Sequence, residues 1–273
     1  MALNISTNVP SLNAQRHLEE ASGALNKSLE RLSSGLRINS AADDAAGLAI
    51  ADRLRADVRI ATQAVRNAND GISAISIGEQ ALGKSGEILA RLSELASESS
   101  TGTVSDSQRS ALQEEFVALV SEIDRISDTT TFNGVSLLSA GTTVALQIGL
   151  DGSSASRISF TTVDGSSSGI GLSGVAVSTA DAAQSALGAI TSAIATVASR
   201  RGSLGSIESR LNTAIANLRV ARENFSAAES RIRDADVAEE TANLTRNTIL
   251  QQAGVSVLAQ ANQQPSLALT LLR

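Results

Sequence analysis

The chain has 273 residues, of which 42% are hydrophobic, yet it contains four Phe, no Tyr and no Trp. A large globular core normally uses more aromatic side chains, so this composition favours closely spaced helices packed through Leu, Ile, Val and Ala. The absence of Cys, the single His and the formal net charge of −6 argue against a disulfide framework, a site with two histidines and an electrostatic nucleic-acid binder.

The first part of the chain is predicted to form two helices, because apolar residues recur at alternating steps of three and four. One helix is expected to end near Ser34, before Gly35, and the next to begin near Ala41. Ser40 followed by Asp43 fits a capped helix start with an acid at the third position.

Two further helices are predicted farther along the chain. Ser105 and Gln108 match a capping box ahead of a third apolar run. A fourth run predicts a helix over about 180–232, which would be on the order of 80 Å long. Three charged residues interrupt the apolar runs, either as long side chains at the edge of a helix seam or as polar groups that penalise wrong helix pairings. They are Glu79, Arg201 and Glu208.

The middle of the chain carries a strand pattern instead. Apolar residues alternate on both sides of Asp151-Gly152, which predicts one small β-hairpin near 143–163. The next stretch, residues 164–178, is rich in Gly and Ser and is expected to be flexible or to face the surface.

Both ends of the chain lack charge, since no charged residue occurs in 2–15 or 247–272. Each end carries an apolar stripe, and two terminal helices that pair with each other would leave much of it exposed. Identical copies are the obvious partners, and a contact that does not close on itself builds an open helical filament. The residues expected at this self-assembly interface are Ile5, Val9, Leu12, Leu18, Leu25, Leu32, Val237, Leu244, Leu250, Ala253 and Val257.

No catalytic residue, cofactor or metal site is expected. Adjacent acids such as Glu239 and Glu240 point about 100° apart on a helix, so they cannot hold one substrate atom together. Solvated faces and acids at helix starts explain such pairs. His17 fits an ordinary helix-surface residue. No signal peptide is visible, and no run approaches the roughly 18 apolar residues of a membrane span. We therefore expect neither a nucleic-acid nor a membrane partner.

Three segments resemble bacterial flagellin. They are RLSSGLRINSAADDAAGLAIADRL from Arg31 to Leu54, TTFNGVSLL from Thr130 to Leu138, and the 231–273 segment that begins RIRDADVAEE. The resemblance covers about 1–140 and 180–273. The middle is shorter than in many flagellins, as in a minimal type that lacks the large outer domains.

The resemblance implies a mainly α fold, with a long antiparallel helical rod, terminal coiled-coil helices and one small β-hairpin. Residues 1–40 and 235–273 would form an inner domain, and residues 41–234 a rod domain. The implied function is that of a structural subunit of the extracellular flagellar filament. It would polymerise with itself after unfolded export through the flagellar type III apparatus, and its partners would be an export chaperone, cap and hook-junction proteins.

The resemblance also implies recognition by an animal Toll-like receptor. The residues that match the family's recognition positions are Arg91, Leu95 and Glu115, while Ala90 and Ser93 depart from the family pattern. Packing within the rod would explain the same three residues.

Three other functions fit parts of the pattern. A hook–filament junction adaptor shares the terminal motifs in weaker form. A secreted, amphipathic, membrane-active protein would need basic helix faces, which residues 247–272 lack. An enzyme within a flagellin-like frame lacks both ligands and room.

Overall fold

The computed structural model describes the backbone of residues 7–271 and the side chains of residues 7–263. This part of the chain is mainly α-helical, as predicted, with five α-helices and two two-stranded antiparallel sheets. The elements in chain order are α1 (Val9–Ser34), α2 (Ala45–Ser99), α3 (Asp106–Thr129), β1 (Thr131–Phe132), β2 (Val135–Ser136), β3 (Thr143–Gln147), a 3₁₀ turn (Ser154–Ser156), β4 (Arg157–Thr161), α4 (Ala180–Arg233) and α5 (Val237–Leu271).

Local caps set the ends of α1 and the start of α3. The Asn8 side chain accepts the backbone N–H of Ser11 at 3.1 Å, and Gly35 closes α1 with a φ of 70°. The predicted capping box precedes α3, where the backbone N–H of Ser105 donates to Gln108 Oε1 at 2.9 Å. The predicted end of α1 near Ser34 and the predicted start of α3 after Ser105 are therefore confirmed.

The predicted start of α2 near Ala41 is wrong by four residues. Asp43 Oδ2 accepts the backbone N–H of Ser40 at 3.1 Å, so these residues close a turn and do not start the helix. The side chain that caps α2 is Asp44, whose Oδ1 accepts the N–H of Gly47 at 2.9 Å.

The described residues divide into two compact units. The first contains the described parts of 1–56 and 224–273, and the second contains 57–223. The core of the second unit is largely aliphatic, as the composition predicts. Its largest fully buried side chains include Phe116, Ile75, Leu82, Leu89, Leu92, Leu95, Ile123, Leu138, Ile190 and Leu211.

The long helices of the second unit run antiparallel. Arg201 on α4 donates from Nε to Glu79 on α2 at 2.9 Å. Ala61 and Ala64, nearer the start of α2, pack with Leu218, nearer the end of α4. The Glu79–Arg201 pair is partly exposed, so it lies at the edge of the helix seam and also links the two helices.

In the first unit, α1 packs antiparallel against α5. The Asn8 side-chain amide donates to the carbonyl of Ala261 at 2.9 Å, and the Gln251 amide donates to Ser22 Oγ at 3.3 Å. These contacts pair the start of α1 with the later part of α5.

The break between α1 and α2 lies beside the break between α4 and α5. Leu36 and Asp234 form an isolated antiparallel bridge, and the N–H of Arg37 donates to the carbonyl of Arg233 at 2.6 Å. Ile38 is buried at the same place. The two breaks therefore form one hydrogen-bonded junction.

Two small hairpins follow α3. β3 and β4 form the predicted hairpin, with Val144 opposite Phe160 and Leu146 opposite Ile158. The pair β1–β2 was not predicted, because strands of two residues are too short to show an alternating pattern. Its two-residue turn is Asn133–Gly134.

The expectation that residues 164–178 are flexible or surface-facing is wrong for part of this segment. Three of its apolar side chains are buried in the core of the second unit: Ile170, Leu172 and Val177. Asp124 on α3 fastens it by accepting the N–H and Oγ–H of Ser167 at 2.7 and 2.8 Å. The Gly/Ser composition hid these few apolar anchors, whose burial holds the segment in place.

By length and composition alone, one described helix, α4, could cross a membrane, with a mean hydropathy of 1.2 over its most apolar window. The core helix of a soluble protein passes the same test. Ile190, Val197 and Leu204 of α4 are buried in the core of the second unit, which accounts for part of its apolar content.

Candidate self-assembly surface

The residues predicted to drive self-assembly fall into two groups. Four are half-buried: Leu18, Leu25, Leu32 and Leu244. Six are exposed: Val9, Leu12, Val237, Leu250, Ala253 and Val257. Ile5 lies outside the described residues. Pairing α1 with α5 therefore covers only part of the apolar surface that the two helices carry.

Sequence reasoning missed three exposed apolar residues on the same helices. Leu29 on α1 and Ile249 and Val255 on α5 are each about half exposed or more. A single helical stripe was assigned to α5, whereas its uncharged part carries apolar residues on more than one face. Together with five predicted positions they form the terminal apolar surface: Val9, Leu12, Leu29, Val237, Ile249, Leu250, Val255 and Val257.

Polar contacts fix how α1 and α5 pair. Arg31 Nη1 lies 3.6 Å from Glu240 Oε2, and Ser11 Oγ donates to Asn262 Oδ1 at 2.8 Å. Glu239 and Glu240 lie in the first turn of α5, as expected for acids at a helix start, but Glu240 is buried and does not lie on a solvated face. Adjacency in sequence could not reveal that an arginine of α1 lies opposite one of the two acids.

Charged residues of the first unit are absent from the later part of α5, which carries Ile249, Leu250, Val255 and Val257. Lys27 Nζ binds Asp43 Oδ1 at 2.7 Å, and this contact, with the N–H groups of Ser40 and Asn39, holds the pKa of Asp43 far below its usual value. From Asn247 onward α5 carries no charged residue. Identical copies could therefore meet along it without like-charge repulsion.

The three residues matched to a receptor site are only partly brought together at the surface. Arg91 donates to Glu94 Oε2 at 2.9 Å and to Glu115 Oε1 at 2.9 and 3.1 Å, and both acids raise its pKa. Arg91 and Glu115 are 49% and 45% exposed, while Leu95 is fully buried. The exposed part of this site is thus an ion pair.

The residues that could carry chemistry are dispersed. His17 is exposed on α1 and its Nδ1 lies 3.2 Å from Glu20 Oε2. Within the described side chains, no group of three or more His, Asp or Glu is arranged to hold a metal ion. What the surface offers is apolar contact area on two paired helices.

Comparison with known families identifies both helical ends of the chain. The N-terminal helical region of bacterial flagellin matches residues 5–143, and the C-terminal helical region matches residues 176–272. The chain belongs to the bacterial flagellin family. The family model for the C-terminal helical region covers the described part of α5, and the N-terminal model covers α1.

Relatives match over nearly the whole chain. A flagellin of Halalkalibacterium halodurans is 46% identical over 270 residues, which cover 98% of this chain and 99% of the relative. The flagellar filament 33 kDa core protein of Treponema phagedenis is 37% identical, with 98% and 99% covered. The crystal structure of Bacillus cereus flagellin is similar with a TM-score of 0.51 and 25% identity, covering 56% of this chain and 88% of that one.

Proposed function

We propose that the chain is a structural subunit that assembles with copies of itself into the extracellular filament of a bacterial flagellum. The observation that carries the proposal is the terminal apolar surface, which stays exposed after α1 and α5 have paired. Membership of the flagellin family supports the same function. The family is one of structural proteins, and the chain is not an enzyme.

The driving force is the burial of this surface between copies. Each of its eight side chains is about half exposed or more, so complete burial would contribute about 1 kcal/mol per side chain, or roughly 8 kcal/mol per subunit before the costs of association. Because the surface extends along two helices of one subunit, it can contact more than one neighbour. Contacts that do not close on themselves then propagate as a helical filament.

Seeded polymerisation of purified subunits tests the proposal. Leu250→Asp places a charge in the contact region, and an unpaired charge buried there costs about 3 kcal/mol or more, which is roughly a hundredfold loss in affinity for a filament end. Thr241→Asp is the matched control, because it adds the same charge at an exposed position beside Glu239 and Glu240. Both variants should keep the helical content of the wild type, which circular dichroism measures.

We expect Thr241→Asp to extend filament seeds and Leu250→Asp to fail, as seen by electron microscopy and by sedimentation of polymer. Normal growth of the Leu250→Asp filaments would show that this part of α5 is not buried between copies. The hook–filament junction adaptor is the second candidate, and quantifying the chain in sheared filaments separates the two. A subunit is the bulk component, whereas an adaptor is a trace component.

The finer assignments from the resemblance are part of the proposal. They are an inner domain of 1–40 and 235–273, a rod domain of 41–234, unfolded export through the type III apparatus, and contacts with an export chaperone, cap and hook-junction proteins. The end of α1 at Ser34 and the end of α4 at Arg233 support a boundary there, whereas the two compact units divide at 56/57 and 223/224. The absence of Cys suits unfolded passage, since no disulfide can form before export.

Recognition by a Toll-like receptor at Arg91, Leu95 and Glu115 stays a prediction. Support comes from the exposed Arg91–Glu115 pair, whereas the buried Leu95 would act by packing beneath it. A reporter-cell assay with wild type, Arg91→Ala and the surface control Arg66→Ala tests it. We expect loss of signal for Arg91→Ala alone, and no response to the wild-type monomer would contradict the prediction.

A further inference from the structure

The turn between β1 and β2 contains the one Asn-Gly dipeptide of the 273-residue sequence. Phe132 pairs with Val135, which leaves Asn133 and Gly134 as the two turn residues, with φ of 48° and 78°. Both residues are exposed, and a side chain at Gly134 would meet nothing within 4 Å. The turn therefore offers water and open space around a reactive dipeptide.

Neither group that would react is held by a hydrogen bond in the described part of the chain. No acceptor binds the backbone N–H of Gly134, and the Asn133 side-chain amide has no partner there. The contrast is Asn39–Ser40, also exposed. There the asparagine amide donates to Glu30 at 2.7 Å and the next backbone N–H donates to Asp43 at 3.1 Å.

We propose that Asn133 is a site of spontaneous, non-enzymatic deamidation and isomerisation in the folded protein. The backbone nitrogen of Gly134 loses its proton to water or hydroxide and attacks the Asn133 side-chain carbonyl carbon. A carbon–nitrogen bond forms, the side-chain amide nitrogen leaves as ammonia, and a five-membered succinimide results. Water then opens either carbonyl of the ring to give aspartate or isoaspartate.

The two products differ in what they do to the hairpin. Aspartate adds one negative charge to the formal −6 but keeps the backbone, and Asp tolerates a positive φ as Asn does. Isoaspartate lengthens the backbone within the turn, which disturbs the neighbouring bond from Leu137 N–H to the Thr130 carbonyl at 3.0 Å. The next residue, Leu138, is fully buried and its carbonyl accepts from Ser127 Oγ at 2.8 Å. Isomerisation would therefore loosen an anchor of the core.

The test is incubation of the purified full-length chain at mildly alkaline pH in ¹⁸O-labelled water. The folded protein is then digested with trypsin, and the fragment between Arg125 and Arg157 is analysed by mass spectrometry with electron-transfer fragmentation. The same fragment, digested first and then incubated, reports the rate without the fold. Asn39–Ser40 is the internal control, and Asn133→Gln is the control variant because its longer side chain would need a six-membered ring.

We expect label and both acid products at residue 133 of the folded chain, at a rate comparable to that of the free fragment. Asn39 should stay unmodified, and the products should fall to background in Asn133→Gln. If the free fragment converts while the folded chain keeps Asn133 intact, the turn protects the residue and the proposal is wrong. Equal modification at Asn39 would also refute the proposal, because the hydrogen bonds of Asn39 and Ser40 would then give no protection.

Discussion

Arg109 offers a sharp test of how the second unit is held together. This arginine of α3 is buried, and it donates from Nε to the carbonyl of Ser99 at 2.9 Å and from Nη2 to the carbonyl of Thr101 at 3.0 Å. Nη1 contacts Asp106 at 3.1 Å. The guanidinium thus satisfies the carbonyl of Ser99, the last residue of α2, and fixes the turn into α3.

Replacing Arg109 by Ala should destabilise the second unit by about 3 kcal/mol. Hydrogen bonds to a charged donor contribute about 1.5–3 kcal/mol each. The bond to the fully buried Ser99 contributes its full free energy, whereas the bond to the exposed Thr101 contributes only part because water competes for it. The contact with Asp106 is not counted, because that acid is 99% exposed.

Thermal unfolding followed by circular dichroism measures the loss. For a unit of residues 57–223, each kcal/mol lowers the Tm by about 2–4 °C, so we expect a decrease of roughly 6–12 °C. Arg109→Lys should be intermediate, since an ammonium group cannot reach both carbonyls with the same fork. Arg125→Ala is the control, as it removes an exposed arginine paired with Glu122. A Tm for Arg109→Ala equal to that of the control would refute the reasoning.

Two further predictions concern other parts of the chain. Because the pKa of Asp43 is held far below its usual value, its contacts stabilise the folded state above the ordinary carboxyl pKa of about 4, and this stabilisation is lost as the pH falls through the lowered folded pKa. The N–H groups of Asn39 and Ser40 should therefore exchange hydrogen faster in Asp43→Asn than in wild type at neutral pH, and equal rates would contradict this. Gly205→Ala in α4 meets no atom within 4 Å, so it should raise the free energy of unfolding by about 0.5–1 kcal/mol in urea titrations. A loss of stability would show that α4 is bent or crowded there.

The fold was predictable to the extent that local patterns repeat over many residues. The three- and four-residue spacing predicted the long helices, and the 180–232 helix agrees with α4 to within a residue. Short signals were less reliable. The Ser40–Asp43 pattern matched a helix cap but closes a turn, and the hairpin β1–β2 was too short to carry a pattern. The Gly/Ser-rich segment concealed three buried apolar residues.

The sequence by itself determined the helical class, the apolar and uncharged ends, and the family to which the chain belongs, because each depends on composition, period or motif along the chain. The tertiary structure alone decided which apolar residues remain exposed after α1 and α5 pair. It also decided that Glu240 lies against Arg31 and that Arg109 reaches back to the end of α2. Periodicity defines a helix face, but only the packing of one element on another determines whether that face is buried, paired or left for a second copy.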